Sequence, residues 1–265
     1  MTMRKWLPAV LAVLTLSLAA CGGTTSAGTG ETFPEATATL PPTTTLPCGD
    51  APLPAGSSLT ATAANPGDLA IYDAPDAAAV PARTMANPRL INNDPNAAVP
   101  LLFLVKDTPD TNCAWVEVYL PVRPNGSTGW VKRADVKLTP DPYRIEVHLG
   151  EFRLKVFKND ETIMDTTIAE AGDNTPTPGG LYYTTELVKT PNPGGVYGPY
   201  AYGLSGFSEV LQSFNGGPGQ LGIHGTNQPE LLGQKVSHGC VRVSNDDITT
   251  LAGILPLGVP VTVIA

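Results

Sequence analysis

The chain has 265 residues, 42% of them apolar and 15% charged, with a formal net charge of −8. That length allows one large domain or two small ones, and the acidic balance argues against a nucleic-acid partner, which would want a basic face. Gly and Pro, 27 of each, forecast many loops and turns.

The first elements in chain order are addresses, not fold. Arg4 and Lys5 precede an apolar run from Leu7 to Leu18, the layout of a secretory leader. The run is too short to span a bilayer, which takes about 20 residues. Leu18-Ala19-Ala20-Cys21-Gly22 resembles a bacterial lipobox. That resemblance implies a signal peptide over residues 1–21 and a diacylglycerated Cys21 as the new N-terminus. The protein would then be exported, lipid-anchored on the outer face of the cytoplasmic membrane and facing the cell wall. More than one acyl chain gives a firm anchor where a single one does not. Residues 22–47 hold nine Thr, four Gly, four Pro and no Lys or Arg. Such a stretch cannot bury enough apolar surface to offset its ordering entropy, so a tether is expected over residues 22–58. Residues 22–47, extended as polyproline II at about 3.1 Å per residue, would reach roughly 80 Å.

Of the four cysteines, Cys21 belongs to the lipobox. Export permits a disulfide between Cys48 and Cys113, which would pin the end of the tether to the first domain. Cys240 is left over, as either a buried inert thiol or a reactive one, and its neighbours favour the second.

Residues 59–139 predict short strands and turns, with strands expected at Leu69–Tyr72, Leu101–Lys106, Ala114–Leu120 and Thr128–Val131. Val116, Val118 and Leu120 alternate with Glu117 and Tyr119, as on a strand with one buried face. The run WVEVYLPVRPNGSTGWVKRADV resembles the end of a bacterial SH3-like domain, which implies a small β-barrel here. Trp115 and Trp130 are expected in its core.

Thr139-Pro140-Asp141-Pro142 reads as a boundary, and residues 140–265 as a second domain. Tyr143, Ile145, Val147 and Leu149 alternate with polar residues, as do Phe152, Leu154 and Val156. Gly150-Glu151 and Asn159-Asp160 mark turns, so an antiparallel meander with two-residue loops is predicted. Leu181–Val188 is another strand. Residues 190–220 show no period, are rich in Gly and Pro and carry Tyr197, Tyr200, Tyr202, Phe207 and Phe214. They predict a long functional loop, with Tyr200 and Tyr202 as substrate-contacting residues. Ser244 caps one short helix, with Asp247 three residues on and Ile248, Leu251, Ala252 and Leu255 on its apolar face. A closing strand follows at Val259–Ile264.

The chemistry concentrates in His224–Arg242, HGTNQPELLGQKVSHGCVR. A cysteine attacks as thiolate, and free cysteine ionises near pH ~8.5, so it needs a base or a cation beside it. His238 lies two residues from Cys240, across a glycine. His224 comes from a separate segment and can approach from across the site, so it is the preferred base. Gly239 lets the chain turn and aim amides at a developing oxyanion. Arg242 would favour thiolate and an anionic substrate, or else form a surface salt bridge. His224, His238 and Cys240 are legitimate zinc ligands, but they lack the paired spacing of such sites, so no metal or other cofactor is expected.

HGT-N-x-P…G-x-x-V-S-H-G-C-V-R resembles the signature of the L,D-transpeptidase (YkuD-type) catalytic domain. TPTPGGLYYTT at 175–185 resembles that family's T-P-x-G segment, and SNDDITTLAGILPLGVPVTVI its closing helix and strand. The resemblance implies a mostly β fold, a bent sandwich after the SH3-like barrel. It implies attack on the bond after the third residue of a peptidoglycan tetrapeptide stem, loss of the terminal D-alanine, a thioester on Cys240, and transfer to the amine of another stem as a 3→3 cross-link. Carbapenems would acylate the same cysteine. His224 would be the base, with its ring oriented by the Gly225 carbonyl. The Gly239 and Cys240 amides would form the oxyanion hole, with Ser237 and His238 in supporting positions. Water as acceptor would give an L,D-carboxypeptidase, and a protein lysine would give wall attachment. A non-catalytic wall-binding lipoprotein is the reading from another class.

Overall fold

The computed structural model describes residues 53–91, 94, 96–107, 113–214 and 216–265. The expected signal peptide, the lipidated Cys21, most of the tether and Cys48 lie outside the described residues. Cys113 is disulfide-bonded, and its partner likewise falls outside them.

The amino-terminal lobe contains β1 (Ser58–Ala63), β2 (Gly67–Ile71), β3 (Arg83–Asn87), β4 (Arg89–Leu90), β5 (Ala98–Val99), β6 (Leu102–Asp107), β7 (Trp115–Tyr119), β8 (Thr128–Lys132) and β9 (Val136–Asp141). Five of these form a sheet in the order β8-β7-β6-β1-β9, and β2–β3 is a hairpin joined to β8 through a Tyr72–Trp130 bridge. The predicted alternation is seen in β7, where Val116 and Val118 are fully buried with Phe103, Ile71 and Val131. Trp115 is buried edge-on to Tyr72, with ring centroids 4.9 Å apart, while Trp130 is half-buried. Gly129 is required where two layers touch, because a Cβ there would lie 2.6 Å from Ile71 Cγ2.

The stretch read as a boundary is largely strand. β9 runs through Thr139 and Pro140 to Asp141, pairing Ser58 with Asp141 and Ala63 with Val136. Proline is tolerated there because β9 is an edge strand. The change of sheet falls at Pro142.

The second lobe contains β10 (Tyr143–His148), β11 (Arg153–Lys158), β12 (Glu161–Thr167), β13 (Glu170–Ala171), β14 (Gly180–Lys189), β15 (Tyr200–Phe207), β16 (Gln220–His224), β17 (Lys235–Ser237), β18 (Val241–Arg242), α1 (Asn245–Ile254) and β19 (Pro260–Ile264). The main sheet runs β12-β11-β10-β19-β14-β15-β16-β18, and β13 pairs with β17 alongside it. The fold is mostly β with one α-helix among the described residues. The meander β10–β12 is antiparallel as its alternation predicts, with Ile145, Val147, Leu154 and Val156 buried. Its second loop has two residues, Asn159 and Asp160. The first has four, because His148 pairs with Arg153. There Gly150 and Phe152 take positive φ, the Gly150 amide donates to Glu170 Oε2 at 2.9 Å and Phe152 packs on the core. Ser244 caps α1, accepting from the Asp247 amide at 3.1 Å, and Ile248 and Leu251 turn into the core.

Residues 190–220 are not one loop. β15 crosses them, paired between β14 and β16. The strand is hidden in the sequence because glycines occupy two of its positions. A Cβ on Gly203 would lie 2.3 Å from Glu186 Oε1, and one on Gly206 would lie 2.3 Å from the Tyr182 ring. Neighbouring side chains fill the space that an apolar residue would otherwise mark.

The lobes pack together through fully buried Tyr183, which touches Leu102 and Leu104 and donates its hydroxyl to the Tyr119 carbonyl at 3.1 Å. Arg89 also pairs with Glu186 across the lobes.

Candidate active site

His224, at the end of β16, and Cys240, just before β18, are brought together by two neighbouring parallel strands. β16 pairs with β18 so that Ile223 faces Val241 and His224 faces Arg242. This register sets Cys240, just before β18, beside Gly222, and a Cβ on Gly222 would lie 3.8 Å from the Cys240 sulfur. Side chains alternate along a strand, so His224, two residues beyond Gly222, shares its face. His224 and Cys240 both line a pocket of about 250 Å³.

His224 is buried. Its Nδ1–H donates to the Gly225 carbonyl at 2.6 Å. A carbonyl can only accept, so this contact places the proton on Nδ1 and leaves the Nε2 lone pair to take another. Burial pushes the imidazole pKa down from 6.5 to about 4, the Gly225 carbonyl opposes that shift, and the Arg242 charge adds to it. Tyr197 packs edge-on to the ring, centroids 4.8 Å apart.

Burial pushes the Cys240 thiol up, while the Gly222 amide and the Arg242 charge pull it down. Burial is the larger influence on the thiol, and the Arg242 charge opposes it. Among the described residues no hydrogen bond joins sulfur to ring. Such contacts are often long before substrate binds.

The turn that presents Cys240 is tied from both sides. Ser237 Oγ donates to the Cys240 carbonyl at 2.5 Å and accepts from the Gly239 amide at 3.3 Å. Gly239 has φ +129°, which a side chain would strain. Its carbonyl accepts from Thr177 Oγ1 at 2.9 Å. The Gly239 amide therefore points back into the turn, not toward the pocket as expected for an oxyanion donor. His238 is exposed and stacks on Phe214 with centroids 5.6 Å apart. Arg242 lines the pocket, and its buried Nε has no hydrogen-bond partner among the described residues. Among the described residues no carboxylate pairs with Arg242, so the salt-bridge alternative is not what holds it. Nor does any group of three or more His, Cys, Asp or Glu there gather to hold a metal.

The structure separates the expected aromatic contacts. Tyr202 is fully buried and its hydroxyl reaches the Leu251 and Leu255 carbonyls, both at 3.1 Å, so its ring supports α1 from behind the site. Tyr200 packs against the same core. The aromatics facing Cys240 are Tyr197 and Phe214, which line the pocket. Strand phase decides this, and the phase was invisible while 190–220 read as loop. Thr177 was also missed as a site residue, although its segment stood out in the sequence. Asn245 was a further omission. Its Oδ1 accepts from the Thr226 amide at 2.9 Å, and a Cβ on Gly198 or Gly225 would come within 2.3 Å of that oxygen. These two glycines let the Tyr197 loop settle against the turn after His224. A second groove of about 360 Å³ reaches the same sulfur and ring from Ile91, Glu186 and Val188.

Residues 142–263 match the model of the YkuD family, described as the L,D-transpeptidase catalytic domain. A Bacillus licheniformis protein named as an L,D-transpeptidase, YkuD, is 36% identical over 122 residues, covering 46% of this chain and 66% of that one. Its counterpart in Bacillus subtilis strain 168 is 36% identical over 128 residues, covering 47% and 70%. The chain thus spans about two thirds of the length of these relatives. Among solved structures, Mycobacterium tuberculosis L,D-transpeptidase 1 is 17% identical with a TM-score of 0.34, covering 52% of this chain and 78% of the other. On the family match and the Bacillus relatives, the chain belongs to the YkuD family of L,D-transpeptidase catalytic domains.

Proposed function

We propose that the protein is a peptidoglycan L,D-transpeptidase that forms 3→3 cross-links through a thioester on Cys240. One observation carries this reading: a thiol and a buried imidazole with an available Nε2 share one pocket, the imidazole from the end of β16 and the thiol from the residue before its parallel neighbour β18. As the sulfur bonds to the carbonyl carbon of the donor stem's third residue, its proton passes to His224 Nε2. The carbonyl electron pair moves onto oxygen, where the Cys240 amide is the donor best placed by the inward turn of Gly239. A donor of this kind contributes about 3–4 kcal/mol. Collapse breaks the C–N bond, and the imidazolium proton leaves with the D-alanine amine. The acceptor amine attacks the thioester, gives a proton to His224, and the sulfur departs as thiol. Arg242, at the pocket wall and with no carboxylate partner among the described residues, suits a carboxylate of the stem.

The lipobox and the Thr/Pro-rich stretch support a lipid anchor on Cys21 and a tether that lifts the enzyme toward the wall, with an SH3-like lobe between tether and catalytic domain. Cys21→Ala would then release the protein from the membrane fraction.

The test of the reaction is incubation of the pure protein with a disaccharide-tetrapeptide, with products identified by mass spectrometry. A 3→3 dimer with free D-alanine supports transfer to an amine. D-alanine with no dimer would make water the acceptor and the protein an L,D-carboxypeptidase.

A further inference from the structure

The turn between β7 and β8, residues 121–126, reaches across the lobes to the segment that carries Phe214. Arg123 Nη1 donates to the Ser208 carbonyl at 2.9 Å, and Nη2 donates to the carbonyls of Leu211 at 3.0 Å and Pro218 at 2.9 Å. The guanidinium also lies over the Phe207 ring, 4.9 Å from its centroid. Beside it, Asn125 Nδ2 donates to the Phe207 carbonyl at 2.8 Å and Asn125 Oδ1 accepts from the Phe207 amide at 2.9 Å.

These contacts join opposite ends of one segment. Ser208 and Leu211 lie on its outgoing limb and Pro218 on its return, and the Ser208 amide closes the base by donating to the Gly219 carbonyl at 2.8 Å. Gly219 keeps the return limb close, since a Cβ there would lie 2.2 Å from the Leu211 carbonyl oxygen. Beyond the tied base stands Phe214, which stacks on His238 and borders both openings onto Cys240. Among the described residues no carboxylate pairs with Arg123. Its planar fork of donors serves three carbonyls at fixed angles, which a lysine ammonium would not match.

We infer that Arg123, assisted by Asn125, is a positioning residue of the amino-terminal lobe that fixes the Phe214 wall of the active site and so sets how tightly the donor peptide is held. It acts through the 207–219 segment and touches no reacting atom. The inference deepens the transpeptidase reading and rests on it.

The experiment compares full-length wild type with Arg123→Ala, Arg123→Lys and Asn125→Ala. It measures steady-state kinetics on the disaccharide-tetrapeptide, alkylation of Cys240 by iodoacetamide, and hydrogen exchange across 208–219. Arg123→Ala is expected to raise KM about tenfold, with kcat and alkylation within about threefold of wild type and faster exchange confined to 208–219. Arg123→Lys should recover only part of KM, and Asn125→Ala should show a smaller rise of the same kind. An unchanged KM in both alanine variants, or a parallel fall of kcat, alkylation and folded fraction, overturns the inference. If wild type itself makes no product, the reaction reading fails first, and the exchange data then show separately whether the clamp holds.

Discussion

The hydroxyl of Thr177 donates a 2.9 Å hydrogen bond to the carbonyl of Gly239, the residue before Cys240 and 62 positions away in the chain. With the Ser237 contacts it fixes the peptide plane that aims the Cys240 amide. Thr177→Val keeps the shape and removes the donor, leaving a buried carbonyl short of one partner, a loss of about 1–2 kcal/mol. Acylation is expected to slow roughly tenfold, and Thr177→Ser to retain most of the rate. Stopped-flow acylation of the three proteins checks this; equal rates for valine and wild type would remove Thr177 from the site.

The His224 imidazole, depressed from 6.5 to about 4, is neutral and able to accept a proton over a wider range than a free histidine. The acylation rate should show no inflection near 6.5 and should fall only below roughly pH 5. Stability has a matching sign. Between the two pKa values the unfolded chain binds the extra proton, so the contribution of the neutral ring is complete above 6.5 and is lost as pH falls toward about 4. His224→Ala should abolish measurable acylation while His238→Ala, which loses only its stack on Phe214, lowers it a few-fold. The reverse order would reassign the base.

Asp141, where one sheet gives way to the next, is buried, and its Oδ2 has no partner among the described residues. Burial raises its pKa from 3.8 to about 6, against the Tyr143 amide that bonds Oδ1. Its folded pKa is raised, so its favourable contribution is present below about 4 and lost as pH rises through about 6. Asp141→Asn keeps an acceptor for Tyr143 and removes the charge. It is expected to stabilise the fold at pH 7 by on the order of 1–2 kcal/mol and to give no gain at pH 4. Thermal melts at both values check it, and an identical shift at each would contradict the assignment.

Tyr202 and Tyr197 should separate stability from substrate handling. Tyr202→Phe loses the bond to the end of α1 and should cost about 1 kcal/mol of stability with KM unchanged. Tyr197→Ala should lower acylation several-fold, through the freed His224 ring, at little cost in melting temperature. Finding both effects in one variant would mean that the two rings do not divide the work in this way.

What the sequence made legible follows from locality. The alternation of Ile145, Val147, Leu154 and Val156, the Ser244–Asp247 cap and the clustering of His224 and Cys240 in one segment each leave a short-range pattern. β15 left none, because Gly203 and Gly206 stand where Glu186 and Tyr182 fill the space, and with the strand unseen the facing of Tyr200 and Tyr202 was misjudged. The bonds of Thr177 and Arg123 go to backbone carbonyls, which every residue carries, so no partner residue type marks them. The inward Gly239 amide is a matter of a single torsion angle, and a glycine in sequence does not say which angle it adopts.

The most direct test of the central claim is peptide-mapped intact mass after brief incubation with a disaccharide-tetrapeptide or a carbapenem. Wild type should gain one acyl adduct on the peptide containing Cys240, and Cys240→Ala, folded by circular dichroism, should gain none and make no cross-link. An adduct on another residue, or 3→3 product from Cys240→Ala, would contradict it.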